Sequence, residues 1–376
     1  MSRFLFVVPP LAGHIGPAVG VAAELERRGH EVAWAGAGAA IRAIAGSARV
    51  FECAVPADLA RPDTVHGFAA LKFLWENVLV PLAEAMEPGV QAAVTRFRPD
   101  LLVVDQQAPA GALVANRAGL AWVTSASTSS ELADPLAGMP KVADWLRSLM
   151  RGLQERFGDP RAGDDLRFAK DLVLAFSTEE LAGPTTHEQA LFVGPAIEDR
   201  CSTIDFPWQA LDPARRLVLV TLGTVNTGPR FLAECATALR ARADRLQAVV
   251  VDPTGSLTGS GDVIVRSRVP QLALLERADA VVCHAGHNTV CEALYHGVPL
   301  VVAPIRDDQP IVADQVVRAG AGIRLRFSRA TATQIGAAID AVLDEPTFGE
   351  GAAHIQKSFR SAPGPVAAAD ALIALS

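Results

Sequence analysis

The sequence predicts an α/β protein made of two successive doubly wound parallel-sheet domains. Short apolar runs, each followed by a Gly-bearing or polar turn and then an amphipathic stretch, recur through most of the chain. Buried parallel strands joined by crossover helices produce that pattern. The recurrence breaks at residues 196–214, which hold Pro207, Pro213 and several acids without periodicity, and then starts again. Such a stretch reads as a linker. With 376 residues the chain is long enough for two domains of ordinary size. The expected division is an N-terminal domain over 1–195, the linker over 196–214, a second domain over 215–355 and a C-terminal helical segment over 356–376.

Composition narrows the function. Half of the residues are hydrophobic, which supplies a large core. The formal net charge is −7 and no basic block occurs, which argues against nucleic acid as a partner. Cys53, Cys201, Cys235, Cys283 and Cys291 are odd in number, scattered and without metal-ligand spacing. Reduced thiols in the cytoplasm are the expectation. The apolar run at residues 4–8 is too short for the apolar core of a signal peptide. No stretch reaches ~18 uninterrupted apolar residues, so no segment is expected to span a membrane.

Residues 3–9 form the first predicted strand. Pro10-Leu11-Ala12-Gly13-His14-Ile15-Gly16 follow as a turn, and Pro17 opens a helix at the position where its missing N–H costs nothing. Gly29 closes that helix before a strand at 31–35. The dinucleotide fingerprint GxGxxG is absent, so NAD or FAD binding is not supported. His14 stands in the turn directly after the first strand, a loop position without core duty. Phe68, Leu71, Phe73, Leu74, Trp75, Val78, Leu79 and Leu82 make a helical run with more apolar bulk than one buried face needs. Core packing accounts for most of them, and one or two are candidates to line a greasy pocket.

A buried strand at 101–104 ends at Asp105, so His14 and Asp105 both fall at the carboxyl edge of one predicted sheet, where polar side chains meet above the strands. An aspartate that accepts the Nδ1 proton of a histidine fixes its tautomer and raises the basicity of Nε2. The plainer alternative is a turn or helix-capping aspartate. A strand at 120–125 runs into the polar turn Ser125-Ala126-Ser127-Thr128-Ser129-Ser130, and residues 139–157 carry Trp145 among apolar positions at helical spacing. That helix is expected to pack on the domain core, or else to flank an acceptor pocket or touch a membrane. Strands at 172–176 and 191–193 close the first half.

The second half begins with a strand at 216–220 and the turn Thr221-Leu222-Gly223-Thr224, whose small residues suit close approach to a phosphate. A helix at 231–243 and strands at 247–251 and 263–265 follow. Then comes VPQLALLERADAVVCHAGHNTVCEALYHGVPLVVAPIRDDQ at 269–309. Its strand at 280–283 meets the turn His284-Ala285-Gly286-His287. Asn288 or Thr289 is a candidate helix cap, with Glu292 at the capping-box spacing from Thr289. A second strand at 300–303 ends at the tip Asp307-Asp308-Gln309. A glycine turn feeding a helix N-terminus is a ready anion site, and an acid and amide after the next strand lie at the same sheet edge. The bland alternative is an ordinary crossover with a well-capped helix. Helices at 312–320, 331–343, 351–359 and 366–375 and a strand at 323–327 complete the chain.

These residues resemble one family end to end. The 269–309 stretch, with VPQ, HAGHNT, GVPLVVAP and DDQ, is similar to the donor-binding signature of the glycosyltransferases with the two-domain GT-B fold. The likeness is to the nucleotide-sugar-dependent, inverting enzymes that glycosylate small lipophilic acceptors, among them bacterial macrolide, polyketide, enediyne and carotenoid glycosyltransferases with plant relatives. Gly13-His14-x-x-Pro17 matches their N-terminal catalytic turn, and Leu222-Gly223-Thr224 the turn that opens the donor domain. HAGHNT in place of the plant HCGWNS points to a bacterial member.

The resemblance implies two Rossmann-like domains facing across a cleft, with the last helix returning to the N-terminal domain. It implies a hexosyltransferase-type enzyme using a UDP-sugar or dTDP-sugar as co-substrate, without a metal or other cofactor, as monomer or homodimer. His14 would be the general base, with Asp105 holding it. His284 and the N–H groups around Gly286, Asn288 and Thr289 would bind the diphosphate, helped by Gly223 and Thr224. Val269, Pro270 and Gln271 would face the base, Glu292 the ribose, and Asp308 and Gln309 the transferred sugar. Phe68, Phe73, Trp75 and Trp145 are candidates to contact the acceptor, and the role of His287 stays open. Three alternatives keep the fold: a nucleotide-sugar epimerase, a lipid-acceptor glycosyltransferase and an inactive partner subunit.

Overall fold

The structure, a computed structural model, describes residues 1–57, 65, 67–163, 165–197, 204–223 and 226–376. It divides into two units, Met1–Ala196 with Ala362–Ser376, and Ile197–Ser361. Each is a parallel sheet with helices on its faces, so both doubly wound domains expected from the apolar runs are present.

The first unit runs β1 Arg3–Val7, α1 Ala12–Arg27, β2 Glu31–Gly36, α2 Gly38–Ala45, β3 Val50–Glu52, α3 Gly67–Phe73, α4 Val80–Phe97, β4 Leu101–Asp105, α5 Pro109–Ala118, β5 Trp122–Ala126, α6 Pro140–Phe157, β6 Val173–Ala175, α7 Glu179–Ala182 and β7 Ala190–Phe192. Its strands lie in the order β3-β2-β1-β4-β5-β6-β7. The chain winds outward from β1 to β3, then returns to place β4 against β1, with Phe6 in register with Val103. Phe4, Phe6, Leu101 and Val103 bury against α1 on one face, while Leu5, Val7, Leu102 and Val104 bury against α4 and α5 on the other. This two-sided burial is why the strands read as unbroken apolar runs rather than alternating ones.

Two local expectations change. The first helix starts at Ala12 rather than Pro17, from Leu11 in extended conformation, so His14 lies in its first turn and Pro17 inside it. Between α3 and α4 a π-helical turn, Leu74–Leu79, precedes Pro81. That proline has no N–H to donate to the carbonyl four residues back.

The second unit runs β8 Arg216–Thr221, α8 Pro229–Arg240, β9 Leu246–Val251, β10 Val263–Arg266, α9 Gln271–Leu275, β11 Ala280–Cys283, α10 His287–Tyr295, β12 Leu300–Val302, α11 Gln309–Arg318, β13 Gly322–Arg324, α12 Ala332–Asp344 and α13 Pro346–Ser361. The strand order is β10-β9-β8-β11-β12-β13. Here too the winding reverses once, between β8 and β11. Thr331 and Gln334 form a full capping box on α12.

The last helix, α14 Gly364–Leu375, belongs to the first unit. Ala368, Ala369 and Leu372 enter the same core cluster as Ile15, Ala18 and Leu25 of α1. Arg28 Nη1 pairs with Asp370 Oδ1 at 2.5 Å, and its Nη2 donates to the Val366 carbonyl at 3.2 Å. Among the described residues no helix is long and apolar enough to cross a membrane. Cys53, Cys235, Cys283 and Cys291 are buried free thiols, and burial pushes Cys53 and Cys283 up to about 12. Cys201 lies outside the described residues.

Leu372 is fully buried, so Leu372→Ala is expected to cost the protein about 2–5 kcal/mol through lost burial and a residual cavity. Chemical denaturation read against wild type checks this; a loss below ~0.5 kcal/mol would show that α14 does not contribute to the core.

Candidate functional site

Each sheet reverses its winding at one place, and the side chains able to do chemistry collect there. In the first unit the reversal falls between β1 and β4, and ligands of doubly wound sheets sit at this kind of position, outside the carboxyl ends of the strands. His14, on the first turn of α1, comes from the β1 side. Asp105, the last residue of β4, is fully buried. His14 Nδ1 lies 2.9 Å from Asp105 Oδ1, which also accepts the Gln107 backbone N–H at 2.8 Å. The alternative of a mere turn aspartate therefore covers only part of what Asp105 does.

A third residue completes the cluster. Ser127, two residues along the polar turn after Ser125, donates from Oγ to Asp105 Oδ2 at 2.7 Å and stands 2.7 Å from His14 Nδ1. The hydroxyl has one hydrogen, and it goes to the carboxylate. An ionised carboxylate only accepts, so two acceptors surround Nδ1 and the proton must reside there. The imidazole is thereby held with its lone pair on Nε2, the form of a base. The polar turn after β5 was the only trace of Ser127 in the sequence; its partnership depends on β5 lying beside β4.

In the second unit the reversal lies between β8 and β11. Gly223 follows β8 with φ +72°, and His284 follows β11, then Ala285 with φ +63° and Gly286. The His284 ring rests against both glycines: a Cβ on Gly286 would stand 2.3 Å from Nε2, and one on Gly223 would stand 2.9 Å from Cε1. His284 is buried and its Nδ1 has no hydrogen-bond partner. Burial, reinforced by the positive charge of Arg306, pushes the imidazole from the usual 6.5 down to about 4, so the ring is neutral near pH 7.

The expected cap at Asn288 or Thr289 does not form. Gly286 is the N-cap, in extended conformation, and α10 begins at His287. Asn288 and Thr289 are thus second and third in the helix, and the N–H groups of its first turn have no carbonyl partner within the helix. Glu292, three residues beyond Thr289, makes no capping box; its Oε2 accepts from Gln271 Nε2 at 2.6 Å. This pair ties α9 to α10. Pro270 precedes α9 as its N-cap and Val269 is half-buried.

The tip after β12 is also more ordered than its sequence suggests. Asp307 adopts φ +57°, Asp308 takes the N-cap position of α11 without a side-chain cap, and that helix starts at Gln309 rather than 312. Gln309 Oε1 accepts the backbone N–H groups of Ile305 and Arg306 at 2.9 and 3.1 Å, so the amide oxygen secures the loop and only the amide nitrogen remains to donate. Thr224 lies outside the described residues. His287 is buried, with its ring beside Cys291 Sγ.

Of the four aromatic acceptor candidates, Trp75 is a correction. It is 1% exposed and packs among Leu79, Leu113 and Met150, which makes it a core residue. Phe73 packs against the same cluster. Phe68 is half-exposed and meets Trp145 edge to face, ring centroids 5.8 Å apart, while Trp145 Nε1 donates to Glu76. Among the described residues no three His, Cys, Asp or Glu side chains are grouped so as to hold a metal ion.

Comparison with known proteins follows the same lines. The family described as erythromycin biosynthesis protein CIII-like, C-terminal domain, matches residues 248–375. The chain is 30% identical to 4'-demethylrebeccamycin synthase of Lentzea aerocolonigenes, over 98% of each protein. Among solved structures, the glycotransferase of kitacinnamycin superposes with a TM-score of 0.83 at 25% identity, over 100% of this chain and 98% of that one. The spinosyn rhamnosyltransferase SpnG complexed with thymidine diphosphate superposes with a TM-score of 0.77 at 23% identity, over 99% of this chain and 100% of that one.

Two outcomes are expected from this geometry. Ser127→Ala removes one of the two groups that hold the Nδ1 proton and is expected to lower turnover about tenfold and to cost about 1.5–3 kcal/mol of stability, since the lost hydrogen bond goes to a buried carboxylate; unchanged turnover would remove Ser127 from the site. The unfolded imidazole takes up a proton at higher pH than the folded one. His284 therefore contributes a loss of stability as pH falls from 6.5 toward about 4, and none above 6.5. Denaturation midpoints across that window are expected to drop less for His284→Gln than for wild type.

Proposed function

This chain belongs to the GT-B glycosyltransferases of natural-product biosynthesis, and from that premise we propose that it is an inverting enzyme transferring a sugar from dTDP or UDP to a hydroxyl of a small lipophilic natural product. The observation that carries the reading is the contact of His14 Nδ1 with Asp105 Oδ1 at 2.9 Å, with Ser127 bonded to both partners. It supports Nε2 as the acceptor of the hydroxyl proton.

In this mechanism the acceptor oxygen attacks the anomeric carbon as His14 Nε2 takes its proton. Asp105 stabilises the imidazolium that forms, and positioned proton transfer of this kind is worth about 10²- to 10⁴-fold. The departing diphosphate is received in the second unit by the first turn of α10 and by neutral His284, which hydrogen-bonds it as a donor. The glycines on either side of that ring let the backbone approach the phosphates closely. No metal is required in this scheme. Glu292 and Gln271, already bonded to each other, face the nucleoside as a unit. Phe68 and Trp145 supply apolar contact for the acceptor. The complex of SpnG with thymidine diphosphate supports dTDP as the donor's nucleotide; UDP is the alternative.

Purified protein given dTDP- and UDP-sugars with polyketide and phenolic acceptors is expected to form a β-linked product from an α-linked donor. His14→Ala is expected to lose about 10²- to 10⁴-fold in kcat while retaining nucleoside diphosphate binding in calorimetry. A retained anomeric configuration, or full activity in that variant, would refute the mechanism. Free sugar released without acceptor would instead indicate the epimerase.

A further inference from the structure

Arg306 lies in the 269–309 stretch but, like Asn226, was given no role by the sequence, yet both lie at the edge of the second unit that carries His284. The neighbour order β8-β11-β12 puts the end of β11, and hence His284, between the loop after β8 and the loop after β12. Arg306 comes from the β12 side, and its Nε donates to Asn226 Oδ1, on the β8 side, at 3.1 Å. Two strand spacings separate those loops, about 10 Å, so the Arg306–Asn226 contact joins the two loops that flank the one carrying His284. The contact is held at both ends. The Arg306 backbone N–H donates to Gln309 Oε1 at 3.1 Å, and Asn226 Nδ2 donates to the Leu222 carbonyl at 3.3 Å. Both residues are buried, at 8% and 7% exposure.

Neutral imidazole and helix N–H groups offer an anion only partial charges. A guanidinium carries a full charge at every physiological pH, and in a buried position little water screens it. We infer that Arg306, positioned by Asn226, binds the donor's diphosphate and offsets the negative charge that grows on its β-phosphate as the sugar departs. The inference rests on the glycosyltransferase reading above. In that step the acceptor oxygen bonds to the anomeric carbon. The bond from that carbon to the phosphate oxygen breaks with its electron pair going to the oxygen, and the acceptor proton goes to His14. A charge fixed in advance where charge develops lowers the barrier without reorganisation. The charge of Arg306 already reaches this edge, since together with burial it lowers the proton affinity of His284. Buried His284 Nδ1, without a partner, marks the same place as one that a hydrogen-bonding ligand completes.

Calorimetric titration of dTDP, UDP and thymidine into wild type, Arg306→Gln and Arg306→Lys tests this. Arg306→Gln is expected to bind the diphosphate at least about tenfold more weakly and to lose more than that in kcat, with thymidine affinity unchanged. Arg306→Lys keeps the charge without the Asn226 contact and is expected to recover part of the diphosphate affinity, which a role of the Asn226 contact alone would not allow. Should Arg306→Gln fail to fold, Asn226→Leu, which keeps the charge but releases it, is expected to weaken dTDP relative to thymidine. Diphosphate affinity equal to wild type in the folded variant overturns the role of Arg306 alone. A wild type that binds neither dTDP nor UDP overturns the donor reading itself and this inference with it.

Discussion

Right-handed crossovers let a parallel sheet grow in one direction only, so a chain that covers both faces must reverse its winding once. Everything functional here depends on that reversal. At β1/β4 in the first unit and β8/β11 in the second, adjacent strands send their following segments to opposite faces of the sheet. The space left at the strand ends is where backbone N–H groups and polar side chains need not be covered by a crossover. His14, Asp105 and Ser127 gather at one reversal; Gly223, His284 and Gly286 gather at the other.

The two edges solve opposite electrostatic problems. At the first, the Asp105 carboxylate and the Ser127 oxygen surround Nδ1 with acceptors and keep its proton there, which leaves the Nε2 lone pair as the basic site. At the second, burial and a neighbouring guanidinium hold an imidazole neutral, which suits donation to an anion that is already charged. The same side chain is thus held in different surroundings, with a negative charge beside one imidazole and a positive charge beside the other. Glycine is needed at 223 for both conformation and space and at 286 for space alone, because the His284 ring occupies the volume a Cβ would fill.

Fold class was legible because two-sided burial writes itself into consecutive residues: 101–104 and 280–283 are apolar without alternation. His14 and Asp105 were legible for a related reason, since a polar residue directly after such a run must lie at the strand's carboxyl end. Helix starts were less so. Pro17 and Thr289 are good local signals, yet α1 begins five residues before Pro17, and Gly286 precedes Thr289 in taking the cap of α10. In both cases the helix starts from an earlier residue in extended conformation, Leu11 or Gly286, so the local signal lies inside the helix. Trp75 misled for the converse reason, because an aromatic in an over-apolar helix is equally suited to a pocket and to a core, and only its surroundings decide.

What the sequence determined by itself was the alternation of strand and helix, the break between two doubly wound units and the residues standing at strand ends. All of these follow from periodicity and neighbours along the chain. The tertiary structure alone decided the partners: Ser127 for His14, Gln271 for Glu292, Asn226 for Arg306. Each joins residues between 21 and 113 positions apart. Such pairs exist because the sheet order brings particular loops together, and strand order is a property of the packed whole that local chemistry does not encode.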